Sequence, residues 1–121
     1  MKRRRPERGA VTAELAMSLP LLVAVTVGLV WLLAIGADQL RAVDAARETA
    51  RAVARGDSTG EAVAAGQRIA PDGARIAVSS GSGEVRVTVT GEVAGPGGLF
   101  DFLPAVRLHA QAVSVAEEEP A

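Results

Sequence analysis

Glu14 is the side chain whose chemistry most needs a partner. It is a carboxylate at the edge of an uncharged stretch, residues 15–37, and Gly9 stands five positions before it. Ahead of the glycine lie Lys2, Arg3, Arg4, Arg5 and Arg8, five cations against the single acid Glu7. A carboxylate in apolar surroundings is strongly unfavourable unless a cation or hydrogen-bond donors meet it. Taken alone, Glu14 also fits an interfacial residue solvated by lipid headgroups. Gly9 adds a second kind of chemistry. Without a side chain, an extended backbone at that point can lie close against a protease.

Other reactive groups are few. His109 is the only histidine and lies in an alternating, strand-like segment, where a lone imidazole is usually solvated or structural. There is no cysteine, so disulfides, zinc–thiolate sites and thiol catalysis are excluded. No HExxH, Gly-x-Ser-x-Gly or phosphate-cradling loop occurs, and the carboxylates fall at no spacing that suggests an acid/base pair or a metal site. The expectation is a protein that is not an enzyme, with no cofactor, no metal and no small-molecule substrate. The basic cluster is too short and too close to an apolar run for a nucleic-acid footprint, and it reads as a topology signal. Beyond residue 37 eight Arg face twelve acids, so no other region is basic enough to bind nucleic acid.

The elements that would hold these groups begin with the apolar stretch. At 1.5 Å per residue, residues 15–37 reach about 34 Å, enough for a hydrocarbon core of roughly 30 Å. Seven Leu, four Val and one Ile favour insertion by on the order of 4–7 kcal/mol. Cations before the span and Asp38 after it place the N-terminus in the cytoplasm and the rest outside, a single-pass arrangement with membrane lipid as a partner. A cleaved secretory signal would have a shorter apolar region, although Ala34 and Gly36 are small enough to precede such a cut. Pro20 can kink the helix, and Ala24 with Gly28 would allow another helix to approach closely.

The run Arg8-Gly9-Ala10-Val11-Thr12-Ala13-Glu14-Leu15, followed by an apolar helix, resembles the processing site of type IV prepilins and pseudopilins. With the later segment QLRAVDAARETARAVARG, the chain resembles more closely the TadE-like minor pilins of actinobacterial tight-adherence systems. The resemblance covers residues 8–56 well and the remainder in outline. It implies that a membrane prepilin peptidase cuts between Gly9 and Ala10 on the cytoplasmic face. It also implies assembly with other pilin subunits through the N-terminal helix. Such a cut removes all five cations and leaves an α-amino group on Ala10, mostly charged at neutral pH. Glu14 could then meet the Ala10 amine of an adjacent subunit, which would fix axial register. Leu15 stands where major pilins of these systems usually carry Tyr, and the outside portion is larger than theirs. Both departures favour a minor subunit.

Beyond the span, residues 38–55 contain no helix breaker, so the helix should run on to a C-cap at Gly56. Asp38 with Arg41, and Asp44 with Arg47, have helix-surface spacing. Ser58-Thr59-Gly60-Glu61 has capping-box spacing and opens a short helix to about Ile69. Pro71-Asp72-Gly73 reads as a turn. Residues 74–79, 84–92 and 106–115 read as strands, with Val85, Val87 and Val89 alternating against polar neighbours and Ser80-Gly81-Ser82-Gly83 forming a hairpin. The fold class is α+β: a long N-terminal transmembrane helix extending outside, then a short helix and a small antiparallel sheet. The divisions are a basic leader (1–9), the helix (10–55, membrane part 15–37), a small outside domain (56–116) and an acidic tail (117–121). The apolar loop around Phe100 and Phe102 either folds over the sheet or forms a subunit contact.

The sequence therefore reads as a processed minor pilin, in or at the base of a surface pilus. An unprocessed single-pass anchor whose outside domain binds a partner is the alternative, and a secreted binding module is the third reading.

Overall fold

The computed structural model describes residues 5–116; Lys2, Arg3, Arg4 and the acidic run at 117–121 lie outside the described residues. One helix dominates. Helix α1, Arg5–Ala54, is 50 residues long and continues through Pro20. It starts five residues before the expected position. Proline is tolerated in a first turn, where its missing N–H has no partner to lose, and Glu7 there suits the helix dipole. The helix ends where residues 38–55 predict. Gly56 has φ 100°, its N–H donates to Val53 O (3.0 Å), and Asp57 N–H donates to Ala52 O (3.1 Å). This pair of bonds is a Schellman cap, which satisfies the last carbonyls.

Helix α2, Thr59–Ile69, opens on Ser58, whose hydroxyl accepts from Glu61 N–H at 3.2 Å. Three antiparallel strands follow: β1, Arg75–Gly81; β2, Glu84–Val93; and β3, Val106–Val115, in the order β1-β2-β3. Gly81 pairs with Glu84 across Ser82 (φ 55°) and Gly83 (φ 77°). Two central residues at positive φ make a type I′ turn, whose twist matches that of the strands.

The core lies between α1 and the sheet. Val85, Val87 and Val89 point inward from central strand β2, while Arg86 and Thr90 face out. They meet Ala42, Ala45, Ala46 and Ala50, which recur at helical spacing on one face of α1. Alanines let the sheet approach the helix axis closely. The core is accordingly small, valine on alanine, with no aromatic side chain in it. Without α1 the central strand would lose the alanine face on which its valines pack.

Helix α2 crosses α1 at Gly66. A Cβ there would overlap Thr49 Oγ1 and come within 2.9 Å of Ile76 Cδ1. Thr49 is fully buried and its hydroxyl has no hydrogen-bond partner among the described residues. Overpacking of this kind is unfavourable by about 1–3 kcal/mol. Gly66→Ala should therefore lower stability by that amount in thermal or denaturant unfolding. Adding Thr49→Ala should recover part of the loss, because it removes the atom the new methyl meets. A Gly66→Ala variant as stable as the parent would mean that the crossing is looser than described.

Candidate functional site

Arg8, Gly9, Ala10 and Glu14 lie on successive turns near the start of α1, all exposed. Ala10 and Glu14 are four residues apart, so they share a helix face with Cβ atoms about 5–6 Å apart. Among the described residues no ion pair forms at Glu14. Among the described residues, a Cβ at Gly9 would meet no atom within 4 Å. Gly9 is helical and not extended, and the Thr12 hydroxyl donates to Arg8 O (2.9 Å) across that turn. A protease needs extended chain, so cleavage would require the first turns of α1 to unwind. Glycine assists, since it holds a helix about 1 kcal/mol less well than alanine.

Most of the apolar stretch is equally uncovered. Met17 is 79% exposed and Leu33 73%, and the exposed leucines continue beyond Asp38 to Leu40. The helix is long and apolar enough to cross a membrane, and no residue of its apolar window is buried within the chain. A helix this greasy and this bare requires lipid or other helices around it.

Two groups on α1 tie the C-terminal part of the chain to this stretch. Trp31 Nε1 donates to Ala94 O at 2.9 Å, and Gln39 Nε2 donates to His109 O at 2.9 Å. Sequence reasoning missed both. The available signal was a single indole N–H inside an apolar run, a donor that needs a partner when buried or in lipid. The loop holding Phe100 and Phe102 does not fold over the sheet. It follows β2, forms a single 3-10 turn at Gly98–Phe100, and lies along α1, where the Phe100 ring packs 3.7 Å from the position of a Cβ on Gly28. Gly28 thus lets the Phe100 ring approach the helix closely within the chain. Phe102 is 78% exposed. Asp38 pairs with Arg41 at 3.6 Å as spaced. Further along, Arg51 and Arg55 both face Glu48 at 3.9 Å, and no pair closes between Asp44 and Arg47 among the described residues. His109 is exposed on the outer face of the sheet, opposite Thr90.

Neither a curated protein nor a solved structure matches the chain. The family model described as TadE-like protein matches residues 9–51, from the glycine through the span to the alanine face of α1. Together with the span-like helix, that match fits a pilus-associated membrane protein. Over those residues, about a third of its length, the chain is similar to the TadE-like family, as the resemblance in its sequence implies.

Proposed function

We propose that the chain is a minor pilin or pseudopilin subunit. It is cut after Gly9 by a prepilin peptidase and built into, or at the base of, a tight-adherence pilus through packing of α1. The observation that carries this reading is Glu14: an exposed carboxylate with no ion-pair partner among the described residues, at the start of a bare apolar helix. Cleavage would change its surroundings in two ways. It would create an amine on Ala10, one turn away. It would also make Glu14 the fifth residue of the helix instead of the tenth, close to the positive end of the helix dipole. An adjacent subunit's amine is the second partner available to it, and that pairing fixes register because a slip by one residue leaves both charges unpaired.

The apolar face running from Leu29 through Leu33 and Gly36 to Leu40 supports assembly as well. It passes the charge at Asp38, so lipid alone does not cover it along its whole length. Arg8 and the cations before it hold the N-terminus on the cytoplasmic side until the cut. No catalysis, cofactor or small-molecule substrate enters this role.

The helical backbone at Gly9 favours a second reading, an unprocessed single-pass anchor whose outside domain binds a partner. N-terminal sequencing of protein extracted from the producing cells separates the two. A mature start at Ala10 is expected, whereas Met1 would establish the anchor and a start near residue 37 would mean a released domain. Gly9→Ala should accumulate uncut precursor on immunoblots. Glu14→Ala should be cut normally yet reach the pilus fraction at about a tenth of the parental level, the equivalent of roughly 1.4 kcal/mol of lost pairing. Normal assembly of Glu14→Ala would remove the carboxylate from the account.

A further inference from the structure

The loop at residues 94–103 is held against α1 inside the uncharged stretch. Phe100 sits on Gly28, nine residues before Ala37, and Ala94 accepts from Trp31. Nine residues of helix are about 13 Å, nearly half of a hydrocarbon core of roughly 30 Å. If residues 15–37 were centred in the bilayer, the loop would lie near its middle. The loop contains Gly95, Pro96, Gly97, Gly98 and the exposed Asp101, with Gly97 and Gly98 both at positive φ. Irregular backbone and a carboxylate facing hydrocarbon are strongly unfavourable, because nothing there satisfies their polar groups. The loop and the centred span are therefore incompatible.

Sliding α1 inward carries the loop from the middle of the bilayer toward its outer edge. With the outer edge of the hydrocarbon near Trp31, the twenty residues needed for a span reach back to about residue 12. Trp31 then sits at the interface, the depth that indole rings favour. Phe100, on Gly28 three residues before Trp31, then lies about 4–5 Å below that edge, within the headgroup–acyl boundary, and the exposed Phe102 follows two residues later in the same loop. Glu14 in turn falls inside the inner edge of the hydrocarbon and not at its mouth.

We infer that the 94–103 loop is an outer-leaflet anchor: Phe102 enters the headgroup–acyl boundary of a lipid bilayer beside Trp31, and this contact sets the depth of α1. Lipid is the occupant the geometry selects, since the loop is fixed to a helix that crosses the bilayer and Phe102 lies at a level lipid must occupy around an inserted subunit. The inference rests on α1 being a membrane span, and it adds a lipid-binding role to the outside domain.

The chain has no cysteine, so single labels are straightforward. The full chain is reconstituted in phosphatidylcholine–phosphatidylglycerol vesicles as Phe102→Cys, Leu21→Cys or Ser79→Cys, each carrying an environment-sensitive fluorophore. Leu21 is in the span; Ser79 lies near the hairpin, at the end of the sheet away from the loop. Lipids bearing a nitroxide high on the acyl chain should quench the residue-102 label at least threefold more than deep nitroxides. They should likewise quench the intrinsic fluorescence of Trp31, the single tryptophan, in the unsubstituted chain. The residue-79 label should be quenched only by aqueous iodide. A residue-102 label open to iodide while the residue-21 label is quenched by lipid overturns the anchor and leaves the span standing. An iodide-accessible residue-21 label overturns the span, and the anchor with it. Stronger quenching of residue 102 by deep nitroxides overturns the proposed depth.

Discussion

The contact on which the rest depends is valine on alanine. Val85, Val87 and Val89 of β2 have no core unless they meet the alanine face of α1. Because that face belongs to the same unbroken helix as the apolar stretch, the sheet is joined to that stretch without a linker between them. Small residues make this possible, since alanine brings the sheet close enough for valine alone to fill the gap. Gly66 does the same where α2 crosses. A domain with so modest a core gains stability from whatever holds α1 in place, whether lipid or neighbouring helices.

The rigid connection also governs the charged end of the helix. Glu14 lies forty residues before the end of α1, on the same continuous helix that carries the sheet. Trp31 and Gln39 strengthen the connection with hydrogen bonds to Ala94 and His109. A loop that sets its own depth in the outer leaflet would therefore also set the depth of a carboxylate at the inner one. The surface ion pairs, such as Asp38–Arg41 and Glu48 with Arg51, are solvated and contribute little beside these contacts.

Local rules made most of the fold legible. The valine alternation marked β2, Ser58 and Glu61 marked the start of α2, Gly56 marked the end of α1, and the Ser-Gly repeat marked a hairpin whose two central residues take positive φ. Each of these depends on a few adjacent residues. Helix α1 begins at Arg5, ahead of the segment 10–55 that would follow a cut at Gly9, because a proline in a first turn and an acid beside it are compatible with helix. The docking of Phe100 on Gly28 and of Trp31 on Ala94 was not legible, since these groups are some seventy and sixty-three residues apart and no periodicity links them. At the candidate site, Gly9, Ala10 and Glu14 were apparent from spacing, whereas the helical state of Gly9 was not.

The central claim is that an amine freed at Ala10 and the carboxylate of Glu14 find each other between subunits. Zero-length carbodiimide cross-linking of pilus material, with isotope-labelled and unlabelled copies mixed, tests it directly by mass spectrometry. The account predicts an amide between Glu14 and the N-terminal amine of another subunit. Glu14 left unjoined, in assembled material whose N-terminal amines remain free, would contradict it.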